Sequence, residues 1–170
     1  VYGNSGMSDI SGGLTVYSGS NVLRAKGNVT LNGVSMQGIG LYLIMSAASG
    51  GGVTSEIGDV LMNGLSNSAY SATYIRVPVS ANLGSVTITG AAGGTAGANG
   101  GIQQDNANGL ITAYGNVNLI GYSTSGHGLR MTLGSTITSI NGSVNLYGLS
   151  TYTTDGYYGI YSDGIGVSAV

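Results

Sequence analysis

Carboxylates are the residues of this chain with the clearest capacity for acid–base chemistry. Cleavage of a glycosidic bond needs two carboxyl groups flanking that bond. Glu56 and Asp59 are the only close pair, and they lie on either side of Gly58. The six acidic residues are Asp9, Glu56, Asp59, Asp105, Asp155 and Asp163.

The surroundings of Glu56 and Asp59 favour a solvated corner over a catalytic site. Segments similar to the one around Gly58 recur along the chain, and their equivalent positions hold no partner carboxylate or base. The residues at those positions are Ala25 and Asn28 in one segment, and Asn82 and Ser85 in another. We therefore expect a protein without enzymatic activity.

The single histidine, His127, lies between two glycines in "SGHGLR". The chain has no cysteine, and no Ser–Asp arrangement accompanies the histidine, so neither a catalytic triad nor a zinc site is expected. Calcium-binding β-rolls repeat an Asp within glycine-rich nonapeptides. The glycine-rich stretches 49–52 and 91–97 contain no Asp. We expect no metal and no cofactor.

Tyrosine is the most suggestive residue type for binding. Its ring offers a flat apolar face with a polar tip, which suits a glycan or a protein partner. Tyrosine also favours strands, so the same residues can simply cover the edges of a β-structure. Both interpretations stay open for Tyr70, Tyr74, Tyr147, Tyr152, Tyr157, Tyr158 and Tyr161.

A repeated heptad supplies the framework for all these residues. Gly-x-Val-x-apolar-x-Gly occurs five times, and the first glycine of each copy recurs every 26–31 residues. A period in this range is typical of solenoids, propellers and repeat arrays. The copies are "GNVTLNG" at 27–33, "GDVLMNG" at 58–64, "GSVTITG" at 84–90, "GNVNLIG" at 115–121 and "GSVNLYG" at 142–148.

Apolar residues alternate within each heptad, which indicates a strand with one buried face. Further strand-like segments lie between the heptads, for example 38–44, 72–79 and 127–133. Five residues before each heptad an apolar residue recurs, at Val22, Val53, Val79, Leu110 and Ile137. The predicted core ladder consists of Val29, Leu31, Val60, Met62, Val86, Ile88, Val117, Leu119, Val144 and Leu146.

Three short strands per repeat predict an all-β fold, a right-handed parallel β-helix of about six coils of 26–31 residues. Propeller blades need longer repeats with four strands. We expect a single domain over residues 1–170, either a fragment of a longer β-helix or a subunit that stacks into a filament. The first glycine of each heptad is expected to form a corner with positive φ, at Gly27, Gly58, Gly84, Gly115 and Gly142.

Charge and hydropathy exclude two kinds of partner. The chain has four Lys or Arg and a formal charge of −2, too little positive charge to follow a nucleic-acid backbone. It contains no apolar run of the length that a membrane-spanning helix needs. We therefore expect neither nucleic acid nor a membrane span.

The heptads, with the "GIGLYLI" type of segment that follows them, resemble the repeat regions of bacterial surface proteins of the filamentous haemagglutinin type. This resemblance covers roughly residues 10–170. It implies a β-helix that is secreted or held at the cell surface and that functions in adhesion, biofilm formation or contact with other cells. It implies a structural stalk rather than an enzyme.

The two ends of the chain predict partners. Both are rich in glycine, nearly uncharged and β-prone, so neither resembles a cap over an open strand edge. We expect the ends to meet further coils of the same chain or other copies of it. Glycans or a host or neighbouring cell surface are further candidate partners.

Two other functions stay as alternatives. One is a carbohydrate-binding or carbohydrate-degrading β-helix of the tailspike kind. The other is an ice-binding solenoid, which needs a flat array of Thr-x-Thr motifs. Only one heptad provides that motif outward, with Thr87 and Thr89.

Overall fold

The computed structural model describes residues 2–5, 13–18, 23–45, 51–94, 100–105, 109–132, 134–152 and 156–170. Every regular element in this part of the chain is a β-strand. The strands are β1 Tyr2–Ser5, β2 Leu14–Ser18, β3 Leu23–Ala25, β4 Val29–Ser35, β5 Leu41–Met45, β6 Val53–Ser55, β7 Val60–Ser66, β8 Thr73–Ile75, β9 Val79–Ala81, β10 Val86–Ala92, β11 Ile102–Asp105, β12 Leu110–Ala113, β13 Val117–Ser123, β14 Leu129–Thr132, β15 Thr136–Ser139, β16 Val144–Ser150, β17 Ile160–Asp163 and β18 Gly166–Ala169.

These strands form three parallel sheets, and every third strand pairs in the same sheet. Sheet A has the order β1-β4-β7-β10-β13-β16, sheet B β17-β14-β11-β8-β5-β2 and sheet C β18-β15-β12-β9-β6-β3. One strand from each sheet makes one coil. Four central coils have a neighbour on both sides, and one further coil lies at each end. The predicted parallel β-solenoid is confirmed.

The heptads form the five long strands of sheet A. Their valines and the apolar residues two positions later stack in register, so that Val86 pairs with Val60 and Val117, and Ile88 with Met62 and Leu119. These side chains point inward and are buried in the central coils. Because removal of apolar area from water is the main stabilising contribution to folding, the stacked rows hold the coils together.

The second glycine of each heptad also points inward, and it permits sheets A and B to approach each other. A Cβ on Gly64 would collide with the carbonyl oxygen of Ala72, and one on Gly121 with that of Gly128. Each of these carbonyl groups belongs to the residue just before the following strand of sheet B. A side chain at this position would therefore push the two sheets apart.

The first glycine of each heptad is required for a different reason from the one predicted. Positive φ occurs among the described glycines at Gly134, Gly156 and Gly164, so the expectation of positive φ at the five heptad glycines is wrong. A Cβ on Gly58 would instead meet Asn28, and a Cβ on Gly142 would lie 2.6 Å from Asn116 Oδ1. The close approach of the preceding coil excludes a side chain at these corners. Gly27 is different, because nothing lies within 4 Å of its Cβ position.

Two details of the predicted strands need correction. Leu110 does not point inward; Ile111 takes the place that pairs with Val79 and Ile137. The shift arises because one residue separates Ala113 from the heptad glycine, whereas two residues separate Ser55 from Gly58. The segment 72–79 is not one strand, because β8 ends at Ile75 and Pro78 precedes β9. Val22, another of the apolar residues that recur five positions before a heptad, lies outside the described residues.

Candidate functional site

The position after the first heptad glycine carries a ladder of side chains that bind the next coil. Asn28 Oδ1 accepts a hydrogen bond from the N–H of Asp59 at 2.9 Å, and Asp59 Oδ1 accepts one from the N–H of Ser85 at 2.8 Å. Ser85 Oγ and Asn116 Oδ1 continue the ladder, at 3.1 and 2.9 Å. A short acceptor at this position therefore satisfies one backbone donor in each coil.

Glu56 and Asp59, the carboxylate pair considered for catalysis, therefore bind different structural partners. Asp59 belongs to the ladder, and Glu56 forms an ion pair with Arg24 in the preceding coil, at 2.7 Å. The Arg24 side chain is 63% exposed, which limits what this ion pair contributes to stability. Asp9 and Asp155 lie outside the described residues, and Asp163 is exposed at the end of β17.

The ladder predicts opposite outcomes for two substitutions of Asp59. Asp59→Ala removes the acceptor for the Ser85 N–H and should lower the free energy of unfolding by about 0.5–1.5 kcal/mol. Asp59→Asn keeps an amide oxygen there, as in Asn28 and Asn116, and should leave stability nearly unchanged. Urea denaturation measures both. Equal losses for the two variants would mean that the carboxylate charge, and not the acceptor, stabilises the corner.

A second ladder runs along the outer face of sheet A. Asn63 Nδ2 donates to Asn32 Oδ1 at 2.7 Å, and Thr89 Oγ1 donates to Asn63 Oδ1 at 2.7 Å. Asn145 Nδ2 donates to Asn118 Oδ1 at 2.9 Å. The outward polar residues of the heptads are therefore hydrogen-bonded to one another along the rod.

Asp105 is the centre of a polar cluster on sheet B. Tyr74 Oη donates to both carboxylate oxygens, at 2.8 and 2.7 Å, and Gln103 Nε2 donates to Oδ2 at 2.9 Å. Arg76 Nε lies 3.6 Å from Oδ1. The ring of Tyr42 stacks on Tyr74 with centroids 5.3 Å apart. Burial, followed by the hydrogen bond to Asp105, raises the pKa of the Tyr74 hydroxyl.

Tyr74 is therefore held by contacts within the solenoid, and sequence reasoning did not recognise its partners. Tyr42, Tyr74 and Gln103 occupy equivalent positions of successive coils. Alignment of the sheet B segments would have shown Tyr42 and Tyr74 as neighbours in one row, which also contains Tyr161. The bond to Asp105 depends on which residue of the next coil lies diagonally opposite, and no local pattern in the sequence contains that information.

His127 lies at the centre of an aromatic cluster in the last two coils. Its ring stacks on Tyr161 with centroids 4.9 Å apart and on Tyr158 at 5.9 Å, and Tyr157 meets it edge-on at 5.4 Å. Tyr152 packs edge-on against Tyr157 at 5.2 Å. The structure thus brings together four of the seven tyrosines considered for binding, around a histidine that the sequence had left without a role.

The remaining tyrosines lie elsewhere. Tyr147 packs on Tyr122, a residue that sequence reasoning missed, with centroids 5.6 Å apart and planes tilted by 56°. Tyr70 is half-buried in the connection between β7 and β8. The seven predicted residues are therefore distributed over four places and do not form one surface.

The surroundings of His127 favour the neutral form of its imidazole. Its Nδ1 accepts a hydrogen bond from the N–H of Tyr158 at 3.1 Å. Burial, and secondarily the positive charge of Arg130, lowers the pKa of His127. Protonation of Nδ1 would remove the acceptor for the Tyr158 N–H, so the hydrogen bond between these two coils requires the neutral histidine.

Stability should consequently decline as the solution is acidified through the ordinary histidine pKa. Below pH 6.5 the unfolded chain binds a proton at His127, whereas the folded chain binds it only at lower pH. The free energy of unfolding should therefore fall as the pH decreases from 7 to about 5.5. His127→Gln removes the titration, and this variant should show a flat profile over that interval in urea denaturation. A wild-type profile equally flat would contradict the assignment.

Neither a metal site nor a membrane-crossing helix is apparent in the described ranges. They contain no group of three or more His, Cys, Asp or Glu side chains placed to bind a metal ion. They also contain no helix of the length and apolarity that would cross a membrane.

Comparisons with known proteins give no relative: no family model, no curated protein and no solved structure matches the chain. The fold defines the class of protein, a parallel β-solenoid.

Proposed function

We propose that this protein is a structural β-solenoid, either a stalk segment of a secreted bacterial adhesin of the filamentous haemagglutinin type or a subunit of a β-helical surface filament. Its function is mechanical. Backbone ladders, inward apolar rows and the side-chain ladders maintain a rod that presents its faces and corners to other cells or to a biofilm.

The observation that carries the proposal is the C-terminal end face, which consists of the inward side chains of β16, β17 and β18. In the central coils the rows of inward side chains are buried; Ile137, for example, is 1% exposed. Val167, which continues the same row in β18, is 49% exposed. Val144 and Leu146 are only half-buried, although Val117 and Leu119 beside them are fully buried.

An apolar end face beside unpaired strand edges favours a further coil on top of it. In the filament form the coil comes from another copy, and in the stalk form from a longer chain. Both forms bury the exposed apolar side chains of the end face, so the need to remove these side chains from water supports both.

The filament form is tested by negative-stain electron microscopy and sedimentation over a concentration series. Fibres should appear as the concentration rises, with a subunit repeat of roughly 30 Å, from about six coils at about 4.8 Å each. Val167→Lys places a charge on the end face and should abolish the fibres, whereas Thr112→Lys, on the outer side of sheet C, should not. Monodisperse particles at every concentration would exclude the filament form.

The stalk form is tested by adding one coil. A second copy of residues 142–170 placed directly after Val170 puts its heptad glycine two residues after Ala169, the spacing found between Ala25 and Gly27. The added coil should cover the end face and raise the melting temperature. A melting temperature that stays the same or falls would mean that the end face does not accept a coil, and would contradict both forms.

Glycan binding is the second candidate function, and the aromatic cluster around His127 favours it. The Tyr158 ring is 54% exposed and lies nearly parallel to that of Tyr161, with planes 17° apart. It offers a flat ring at an outer corner of the rod. Retention on immobilised polysaccharides that is lost in Tyr158→Ala and kept in Tyr70→Ala would support this function. The ice-binding alternative receives less support, because Leu61 and Asn118 flank Thr87 in its row.

A further inference from the structure

The outer face of sheet A carries an apolar stripe parallel to the rod axis. One outward residue from each of five successive strands lies in the same row, in register. Three of these residues are large and well exposed, with values of 42% for Leu65 and 41% for both Tyr122 and Leu149. The apolar stripe consists of Val34, Leu65, Ala91, Tyr122 and Leu149.

No charge interrupts this face. The outward positions of strands β4, β7, β10, β13 and β16 hold fifteen residues, none of which is acidic or basic. Apolar patches of several hundred Å² on a soluble protein usually mark a contact surface. An uncharged partner is required, because a charged group buried here would find no opposite charge.

The stripe has a notch at its centre. Ala91 is small and lies between Leu65 and Tyr122, and the concave site of about 340 Å³ around it is lined mainly by apolar groups. This volume is at the lower limit for small-molecule sites, and it suits the insertion of a side chain better than the binding of a larger ligand.

The polar groups on the face are poorly placed to bind a sugar. The Tyr122 and Tyr147 planes are tilted by 56°, so the two rings do not make a flat platform. Asn145 and Asn118 are hydrogen-bonded to each other in the ladder. The face therefore suits an apolar protein surface more than a glycan.

We propose that the apolar stripe binds the same stripe of a second copy, with the two rods side by side and antiparallel. A two-fold axis along the strand direction, midway between strands β10 and β13, keeps the stripe opposite itself. Tyr122 of each copy then enters the notch over Ala91 of the other, and Leu65 of each copy packs on Leu149 of the other. The same face of a second copy is itself uncharged, so it is a partner of the kind that this face requires.

The size of the face sets the strength of this contact. Five strands about 4.8 Å apart, each of seven residues at about 3.3 Å, give a footprint of roughly 550 Å² per copy. Stable interfaces bury about 800 Å² per partner, so two isolated chains should associate weakly. Repetition of the contact along a stalk or filament would strengthen it by avidity. The inference concerns the side of the rod and does not depend on the end face.

The test is sedimentation velocity of chains carrying Val167→Lys, which blocks the end face so that lateral association is measured alone. The chain should shift from monomer to dimer between about 1 μM and about 1 mM. Adding Leu65→Lys or Leu149→Glu should weaken the dimer by about 100-fold or more, because each buries an unpaired charge. Thr112→Lys, on sheet C, should leave the dimer unchanged.

Mixing the two charged variants tests the register. In the antiparallel arrangement Lys from one variant meets Glu from the other, and the second contact stays Leu on Leu. The mixture should therefore dimerise although neither variant does so alone, while circular dichroism shows both folded.

Three results would overturn the inference: a monomeric chain at every concentration, an unaffected Leu65→Lys dimer, or a mixture that stays monomeric. A monomeric chain whose retention on a neutral polysaccharide is lost in Leu65→Lys would assign the face to a glycan instead.

Discussion

Gly90→Ala should be one of the most destabilising single-methyl additions available in this protein. The new Cβ would collide with the carbonyl oxygen of Gly101 and lie 2.6 Å from its carbonyl carbon, and both atoms belong to backbone that anchors β11. Because backbone atoms cannot rotate away as a side chain can, sheets A and B would have to move apart. This movement would disturb the inward apolar rows of both sheets. We expect a loss of about 3 kcal/mol or more in the free energy of unfolding, at the upper end for overpacking.

Gly27→Ala is the matched control, because it also replaces a glycine of the heptad. Nothing lies within 4 Å of its Cβ position and its φ is not positive. An alanine there restricts the unfolded chain, so stability should stay the same or rise by about 0.4–1 kcal/mol. Urea denaturation of the two variants measures the contrast. Similar losses in both would mean that backbone freedom, rather than the close approach of sheets A and B, explains the heptad glycines.

The glycines also show what the sequence could and could not predict. Repetition revealed that Gly90 and its equivalents matter, and the alternation of Val86 and Ile88 predicted the inward rows correctly. Repetition did not reveal the physical reason, since positive φ and close approach both select glycine. The distance between sheets A and B, which only the structure gives, decides in favour of close approach over positive φ at Gly90.

The candidate sites were less predictable because they depend on contacts between coils. Tyr74 and Asp105 are bonded across two strands, and His127 meets Tyr158 and Tyr161 only after the chain has completed another coil. A difference of one residue at a corner, as at Leu110 and Ile111, shifts which residues meet. Composition suggested that tyrosines are important, but strand register decided which of them lie together.

Leu119→Ala should cost about 2–5 kcal/mol, the range for removing a fully buried leucine side chain. Leu119 is 0% exposed and lies in one row between Ile88 and Leu146. The cavity would open between two packed coils, where the backbone ladders above and below limit collapse. Chemical denaturation at low protein concentration measures the loss in the isolated chain.

Leu146→Ala is the same substitution one coil further along the row, on the end face. Because Leu146 is only half-buried, the loss should be less than half of that for Leu119→Ala when the chain is dilute. If another copy stacks on the end face, Leu146 becomes a core residue, and mass action makes its contribution depend on concentration. The cost of Leu146→Ala should then approach that of Leu119→Ala as the protein concentration rises, while the cost of Leu119→Ala stays constant. A Leu146→Ala cost that is the same at every concentration would mean that the end face gains no cover from other copies. In that case the filament form would be excluded, and the melting temperature of the chain with one added coil would decide whether the stalk form stands.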